Sequence, residues 1–260
     1  MIGIVLLLLS LVIGITGYIY SHPCGFNWLS FTEDFYANIS AELFSISVTI
    51  LLIDYLYQKQ AGKQMKSQLI REMSSRDNGI ALRSIVELKA KGLIKDKLLL
   101  RSNLSNAALE NADLSNFTLP QAILYKANLK KANLSKGNFE MAIFIEADLE
   151  MAILNETSLS GANFTEANLK GIMLRKAMME GAIFIKSKLE NANLNTSILT
   201  DSNFTGAKLN HADFRKTKVK NANFKEAILD HADFSESDLT IEQLLGAASW
   251  ENIICDFEVP

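Results

Sequence analysis

Phe144, Phe164, Phe184, Phe204 and Phe224 recur at a spacing of 20 residues, and they mark the edge of a shorter period. From Ser102 to Ile241 the chain of 260 residues divides without a gap into 28 blocks of five. The third residue of a block is Leu or Phe in 26 of the 28, with Met179 and Val219 as exceptions, and the residue two before it is Ala in 18. A helix repeats near 3.6 residues and a strand near 2.0, so neither sustains a strict period of five. The period requires a short extended piece and a turn, repeated. Such a unit cannot bury its apolar face alone, so the units must stack.

Blocks taken four apart form distinct columns. The first column of centres reads Leu104, Leu124 and then five Phe; the second is Leu throughout, from Leu109 to Leu229. The fourth is irregular, and its small position reads Phe117, Gly137, Thr157, Ala177, Ser197, Thr217, Ser237. Four blocks therefore make one square turn, and the repeats make about seven coils, roughly 30–35 Å at strand spacing. Asn or Asp precedes the centre in 14 blocks, which reads as turn and αL chemistry. Pro120 is the one proline inside the repeats, leaving N–H groups free for a ladder between coils.

Blocks such as ADLSN (112–116), ANLKK (127–131), ADLEM (147–151), ANFTE (162–166) and ADFSE (232–236) resemble the pentapeptide-repeat family, whose consensus is A-(D/N)-L-x-x. The resemblance covers 140 of 260 residues. It implies an all-β solenoid, a right-handed quadrilateral β-helix with the centre and the preceding Ala inward and the other three residues outward. The resemblance also brings in members that mimic double-helical DNA and bind topoisomerases. That activity needs a strongly acidic rod, whereas residues 102–241 hold 17 acids and 15 bases. Nucleic acid is not expected as a partner.

A solenoid has two open ends to cover. Thr240-Ile241-Glu242-Gln243 has the form of a capping box, which predicts a helix over 241–249 and makes 242–260 a C-terminal cap helix and tail. Residues 76–91 place Ala81, Leu82, Ile85 and Leu88 on one face, with Gly92 at the C-cap. This helix is expected to cover the first coil through Lys97-Leu98-Leu99-Leu100.

Ahead of the repeats lie two apolar runs. Residues 2–20 carry no charge and would span roughly 30 Å as a helix. A cleaved signal peptide needs a basic start and small residues at its cut; residues 1–57 contain no Lys or Arg, and Ser21-His22-Pro23-Cys24 is a poor cut site. The second run, 36–57, contains Asn38, Glu42 and Asp54, and its Ala37, Ala41 and Ser45 have the spacing that lets helices approach in lipid. The expectation is a transmembrane hairpin, 1–57, with loop 21–35. Residues 58–101, a basic helical neck, hold 11 Lys and Arg against 4 acids, while the loop offers only Glu33 and Asp34. Positive segments stay inside, so both termini are expected in the cytoplasm of a bacterium, with a multi-pass anchor in its inner membrane and the neck against anionic headgroups. This order of parts resembles a recurring membrane-tethered bacterial architecture of the same family.

Catalysis has no support in the sequence: there is no phosphate loop, zinc-spaced cluster or nucleophile triad, and no cofactor or metal is expected. Cys24 and Cys255 would lie on opposite sides of the bilayer. His211 and His231 read as duplication of an outward block rather than as a metal pair. Glu42 is a candidate intramembrane polar site. The surface that needs explaining flanks the first column: Ile123, Tyr125, Ile143, Ile145, Ile183 and Ile185, interrupted by Asn163 and Thr165. Contiguous large apolar groups on a solvated face point to association, with an unidentified cytoplasmic protein or with a second copy. The expected function is a non-enzymatic, membrane-tethered scaffold. The alternatives are the topoisomerase-binding DNA mimic and an oligomeric transport or sensing component built on the two spans.

Overall fold

The computed structural model describes residues 28–257 together with Val12, Thr16, Ile19 and Tyr20; along the first helix its side chains are described at Leu29, Ile46 and from Val48 onward. The chain forms two compact units, 1–64 and 65–260.

Helix α1, Trp28–Met73, is 46 residues long. It starts within the expected loop 21–35, because nothing between Trp28 and Ala61 is Gly or Pro, the residues that break helices. The expected span 2–20 lies outside the described residues apart from the four named above. The expected span 36–57 falls inside α1. Among the described residues no helix is long and apolar enough to cross a membrane: the described apolar stretch runs from Ile46 to Tyr57, short of the roughly 20 residues a span needs.

The second unit opens on the end of α1, whose Leu69 and Met73 are buried in the core. Helix α2, Asn78–Ala90, is N-capped by Asp77, whose carboxylate accepts from the Ile80 N–H at 3.0 Å. It buries Ala81, Ser84, Ile85 and Leu88. Leu82, expected on that face, is half-buried. Gly92 has φ 67° and the helix ends in a Schellman motif, with Leu93 N–H donating to Leu88 O at 2.9 Å and Gly92 N–H to Lys89 O at 3.0 Å. A 3₁₀ turn, Lys97–Leu99, drops Leu99 into the core.

From Asn103 the chain winds as a square solenoid. Each bridge residue pairs in parallel with the residue 20 positions on, from Asn103 with Ile123 to Asp213 with Asp233. The contacts are isolated bridges, one residue wide, instead of long strands, because two extended residues in five leave no room for more. Leu, Phe and Ala at the two inward positions are buried throughout. The first-column phenylalanines stack face to face at 4.7–5.1 Å from Phe144 to Phe224. Phe214 and Phe234 form a second stack at 4.4 Å. In the irregular fourth column volume is traded between positions. Gly137 is required there, since a Cβ would lie 2.5 Å from the Phe139 ring.

The turn chemistry differs from the expectation. The Asn or Asp before each centre, Asp238 excepted, is a bridge residue in extended backbone, not αL. Its side chain accepts from the N–H two residues on, an Asx turn, in 13 of the 14 blocks that carry it. From Asn106 to Glu236 the αL residue is the fifth of each block, with φ between 54° and 67°, and most are Lys, Glu, Asn or His. Each such residue costs roughly 1–2 kcal/mol of conformation. The cost is offset because its N–H still reaches the next coil, as Lys131 does to Glu150 O at 2.9 Å.

The C-terminal expectation also needs correction. Helix α3 is only Ile241–Leu244, since Gly246 and the segment after it return to the stack. Ile228 bridges Ser249 and Asp233 bridges Ile254, 21 residues on instead of 20. Residues 248–257, ASWEN-IICDF, are thus two further blocks displaced by one insertion. Trp250 and Cys255 occupy centre positions, Ile253 an Ala position, and Asn252 the αL position with φ 50°.

Candidate interaction surface

Three residues in five point outward, so the surface is a set of ladders with one rung per coil. Ion pairs link neighbouring rungs: Lys126–Glu146 at 3.1 Å, Lys130–Glu150 at 3.2 Å, Lys136–Glu156 at 3.9 Å, Lys170–Glu190 at 3.2 Å and Lys216–Glu236 at 3.5 Å. Hydrogen bonds that the Lys126 ammonium donates to Tyr125 and Glu146 raise it above its usual range; those to Glu150 and Asp148 do the same for Lys130. The forked contact of Arg215 holds the Asp213 carboxyl below the carboxylate range. Exposed pairs of this kind contribute little stability. Their consequence is electrostatic: no face becomes uniformly acidic.

The first face is the exception to this polar texture. Ile123, Ile143 and Ile183 share one ladder, in which Ile123 bridges Ile143, Ile143 bridges Asn163 and Asn163 bridges Ile183. Tyr125, Ile145 and Ile185 lie two residues beyond, on the other side of the buried centres. The structure therefore brings all six together along one face, with Asn163 and Thr165 between them as an Asx pair (2.9 Å). Each of the six is half-buried instead of fully exposed, because neighbours at coil spacing cover their flanks and leave the tips. The Tyr125 hydroxyl donates to Glu146 at 3.0 Å, and the Lys126 ammonium lies 5.0 Å from its ring.

Sequence reasoning missed three large apolar groups that are exposed within residues 102–241: Met141 at 61%, Met151 at 58% and Met178 at 45%. Met141, two residues before Ile143, leans over Gly161, where a Cβ would meet its Cγ at 3.5 Å. The available signal was Met at an αL position with Gly 20 residues later; Met151 and Gly171 repeat it.

Glu42 belongs to α1, and the position of its side chain lies outside the described residues, as does Cys24. Cys255 is a half-buried free thiol. The rings of His211 and His231 stack at 4.7 Å and 5°, parallel and not converging on a point. Among the described residues no group of three or more His, Cys, Asp or Glu could hold a metal. A depression lined by Asn155, Glu156, Arg175 and Lys176 has about 140 Å³, below the roughly 300 Å³ of ordinary ligand pockets.

A family model described as "Pentapeptide repeats (8 copies)" matches residues 102–140 and 142–181, and one described as "Pentapeptide repeat region" matches 177–246. The chain belongs to the pentapeptide-repeat family. Solved structures similar to this repeat protein include QnrB1, a plasmid-mediated fluoroquinolone resistance protein, at 17% identity over 60% of this chain and 80% of that one, TM-score 0.39. HetL, a pentapeptide-repeat protein involved in heterocyst differentiation regulation from the cyanobacterium Nostoc sp. strain PCC 7120, is 26% identical over 66% of this chain and 91% of its own, TM-score 0.30. Rfr23 from the cyanobacterium Cyanothece 51142 is 24% identical over 54% and 91%, TM-score 0.24. A comparison with curated proteins gives no match.

Proposed function

We propose that this pentapeptide-repeat protein is a non-enzymatic binding scaffold, tethered to the bacterial inner membrane, that offers the first face of its β-helix to a cytoplasmic protein. The observation that carries the reading is the run of Ile123, Tyr125, Ile143, Ile145, Ile183 and Ile185 on a single face whose backbone is fixed in both directions by the ladder. A rigid face loses little entropy on binding, and the tips of β-branched side chains at strand spacing suit a flat, shape-complementary contact. The tether rests on the sequence of residues 2–20 and on α1. In α1, Leu51, Leu52, Ile53, Tyr55 and Leu56 are all exposed, with Asp54 the one charge among them. Exposed apolar side chains this dense on a helix suit a core or lipid. The DNA-mimic reading is disfavoured by the alternating ion pairs of the faces.

Proximity labelling from the C-terminus in cells tests the proposal. The wild-type chain should enrich one set of cytoplasmic neighbours, and the variant Ile143→Thr, Ile145→Thr, Ile183→Thr, Ile185→Thr should lose it at equal abundance. Identical sets from the two chains would refute the face.

A further inference from the structure

We infer that residues 95–101, immediately ahead of the first coil, form a second membrane contact: a short loop that rests on an anionic bilayer surface. The loop reads Lys95-Asp96-Lys97-Leu98-Leu99-Leu100-Arg101. Its middle leucine, Leu99, is fully buried and fixes it to the core. That anchoring turns the leucines on either side outward, leaving Leu98 40% and Leu100 49% exposed. Lys95, Lys97 and Arg101 are exposed around them. Among the described residues none of these three cations pairs with a carboxylate; the Arg101 guanidinium donates to the amide oxygen of Gln121, at 2.6 Å.

The one acid of the loop is withdrawn from this surface. Asp96 accepts from the Leu98 N–H at 3.0 Å and is ion-paired to Lys66 at 2.6 Å. Two exposed leucines set among three unpaired cations, with the local acid neutralised, match the chemistry of an anionic lipid interface. Apolar tips enter the headgroup boundary, and cations meet phosphates. A protein groove would satisfy the leucines but would need an acidic rim as well. A nucleic acid would satisfy the cations and leave the leucines exposed. The inference rests on the tether proposed above, with which the chain length is compatible. Eight residues lie between Tyr57, the end of the apolar run, and Lys66, a reach of roughly 30 Å at most even when fully extended.

The test uses the full chain with Cys24→Ser and Cys255→Ser, carrying an environment-sensitive fluorophore on Leu98→Cys or Leu100→Cys, and on Lys170→Cys as a mid-rod control. Each chain is reconstituted into phosphatidylcholine vesicles with or without phosphatidylglycerol. The labels at 98 and 100 should shift to shorter wavelength and be quenched by lipid-borne nitroxide in the anionic vesicles, the label at 170 should do neither, and Lys95→Gln, Lys97→Gln, Arg101→Gln together should remove the shift. A chain that floats with the vesicles while its labels at 98 and 100 stay in water overturns the loop and leaves the tether standing. A chain that does not float overturns both. A shift produced in detergent by heparin or polyglutamate, without lipid, assigns the loop to an anionic macromolecule and likewise overturns the inference.

Discussion

The two ends of the solenoid are closed by different means. At the N-terminal end backbone does the work. The first coil's bridge N–H groups at Ala108 and Thr118 donate to the Ser75 and Ile94 carbonyls at 2.9 and 2.8 Å, which the segments around α2 place in the path of the ladder. At the C-terminal end backbone from Gly246 to Ile254 covers part of the last coil, and side chains imitate backbone over the rest. Gln243 Nε2 donates to the Val219 and Ala222 carbonyls at 2.8 and 2.9 Å, Asp238 accepts from Val219 N–H, and Asp256 accepts from Glu236 N–H at 2.7 Å. A parallel ladder thus presents unlike groups at its two edges. Each block turns one N–H and two carbonyls toward the lower edge, as Ile123 N–H donates down to Ser102 O while the Ile123 and Tyr125 carbonyls accept from Leu104 and Asn106 below. The upper edge presents the inverse, two N–H groups and one carbonyl per block, and amide and carboxylate side chains can meet both kinds within a few residues.

Both ends enclose the same dry core, and damage there should outweigh damage at either end. Leu169 is fully buried in the second column, and Leu169→Asp places an unpaired charge in a dry core. A loss of more than about 4 kcal/mol, or failure to fold, is expected. Lys170→Asp, one residue later and outward, forfeits only the exposed pair with Glu190, and its melting temperature should stay within a few degrees of wild type.

Gly137→Ala should cost about 1–3 kcal/mol through overpacking against Phe139. Gly161→Ala should cost about 1 kcal/mol, from φ alone. Thermal melts of the two variants rank the clash against the dihedral.

At the ends the asymmetry predicts unequal responses. Gln243→Ala removes the side-chain donor of the Ala222 carbonyl and one of the two donors of the Val219 carbonyl and should cost about 1–3 kcal/mol, whereas Asp77→Ala removes one N-cap for about 1 kcal/mol. Denaturant titrations read both.

Acid should act on the N-terminal end. The hydrogen bond from Lys66 holds the Asp96 carboxyl below its usual 3.8. Burial pushes Asp113 up, but hydrogen bonds from Lys89 and Ser115 outweigh it and leave that carboxyl low as well. A depressed folded pKa stabilises above the unfolded value and loses that contribution as pH falls through the folded one. The cap should therefore loosen below about pH 4. Asp96→Asn should show a flatter acid limb in a melting-temperature series against pH.

The interior of the solenoid was legible because burial enforces the period: a polar group at Leu109 or Phe184 has nowhere to go. The face carrying Ile143 and Ile183 was legible for the same reason, since residues beside a buried centre must point outward. The αL position was misassigned. Asn and Asp favour both αL and Asx turns, and here the hydrogen bond to the next N–H but one holds them in extended backbone. The αL turn then falls to residues such as Lys131 and His211, whose identity carries no such mark. The blocks at 248–257 were hidden by one inserted residue, and by Trp250 and Cys255 standing where Leu or Phe is the rule. The half-burial of the isoleucines depends on the height of the neighbouring rungs, which spacing alone does not give.

One stack runs through both ends, with the last two blocks continuing the ladder after a shift of one residue. Amide hydrogen exchange on the intact chain tests it directly. Leu229, His231 and Phe234 donate to the carbonyls of Ser249, Glu251 and Ile254 at 2.7–2.8 Å, as Leu209, His211 and Phe214 donate one coil below. The two sets of amides should be protected together, by at least a hundredfold over the unfolded rate. Rapid exchange at Leu229, His231 and Phe234 beside protected Leu209, His211 and Phe214 would mean that the stack ends at the seventh coil and that residues 248–257 are a tail.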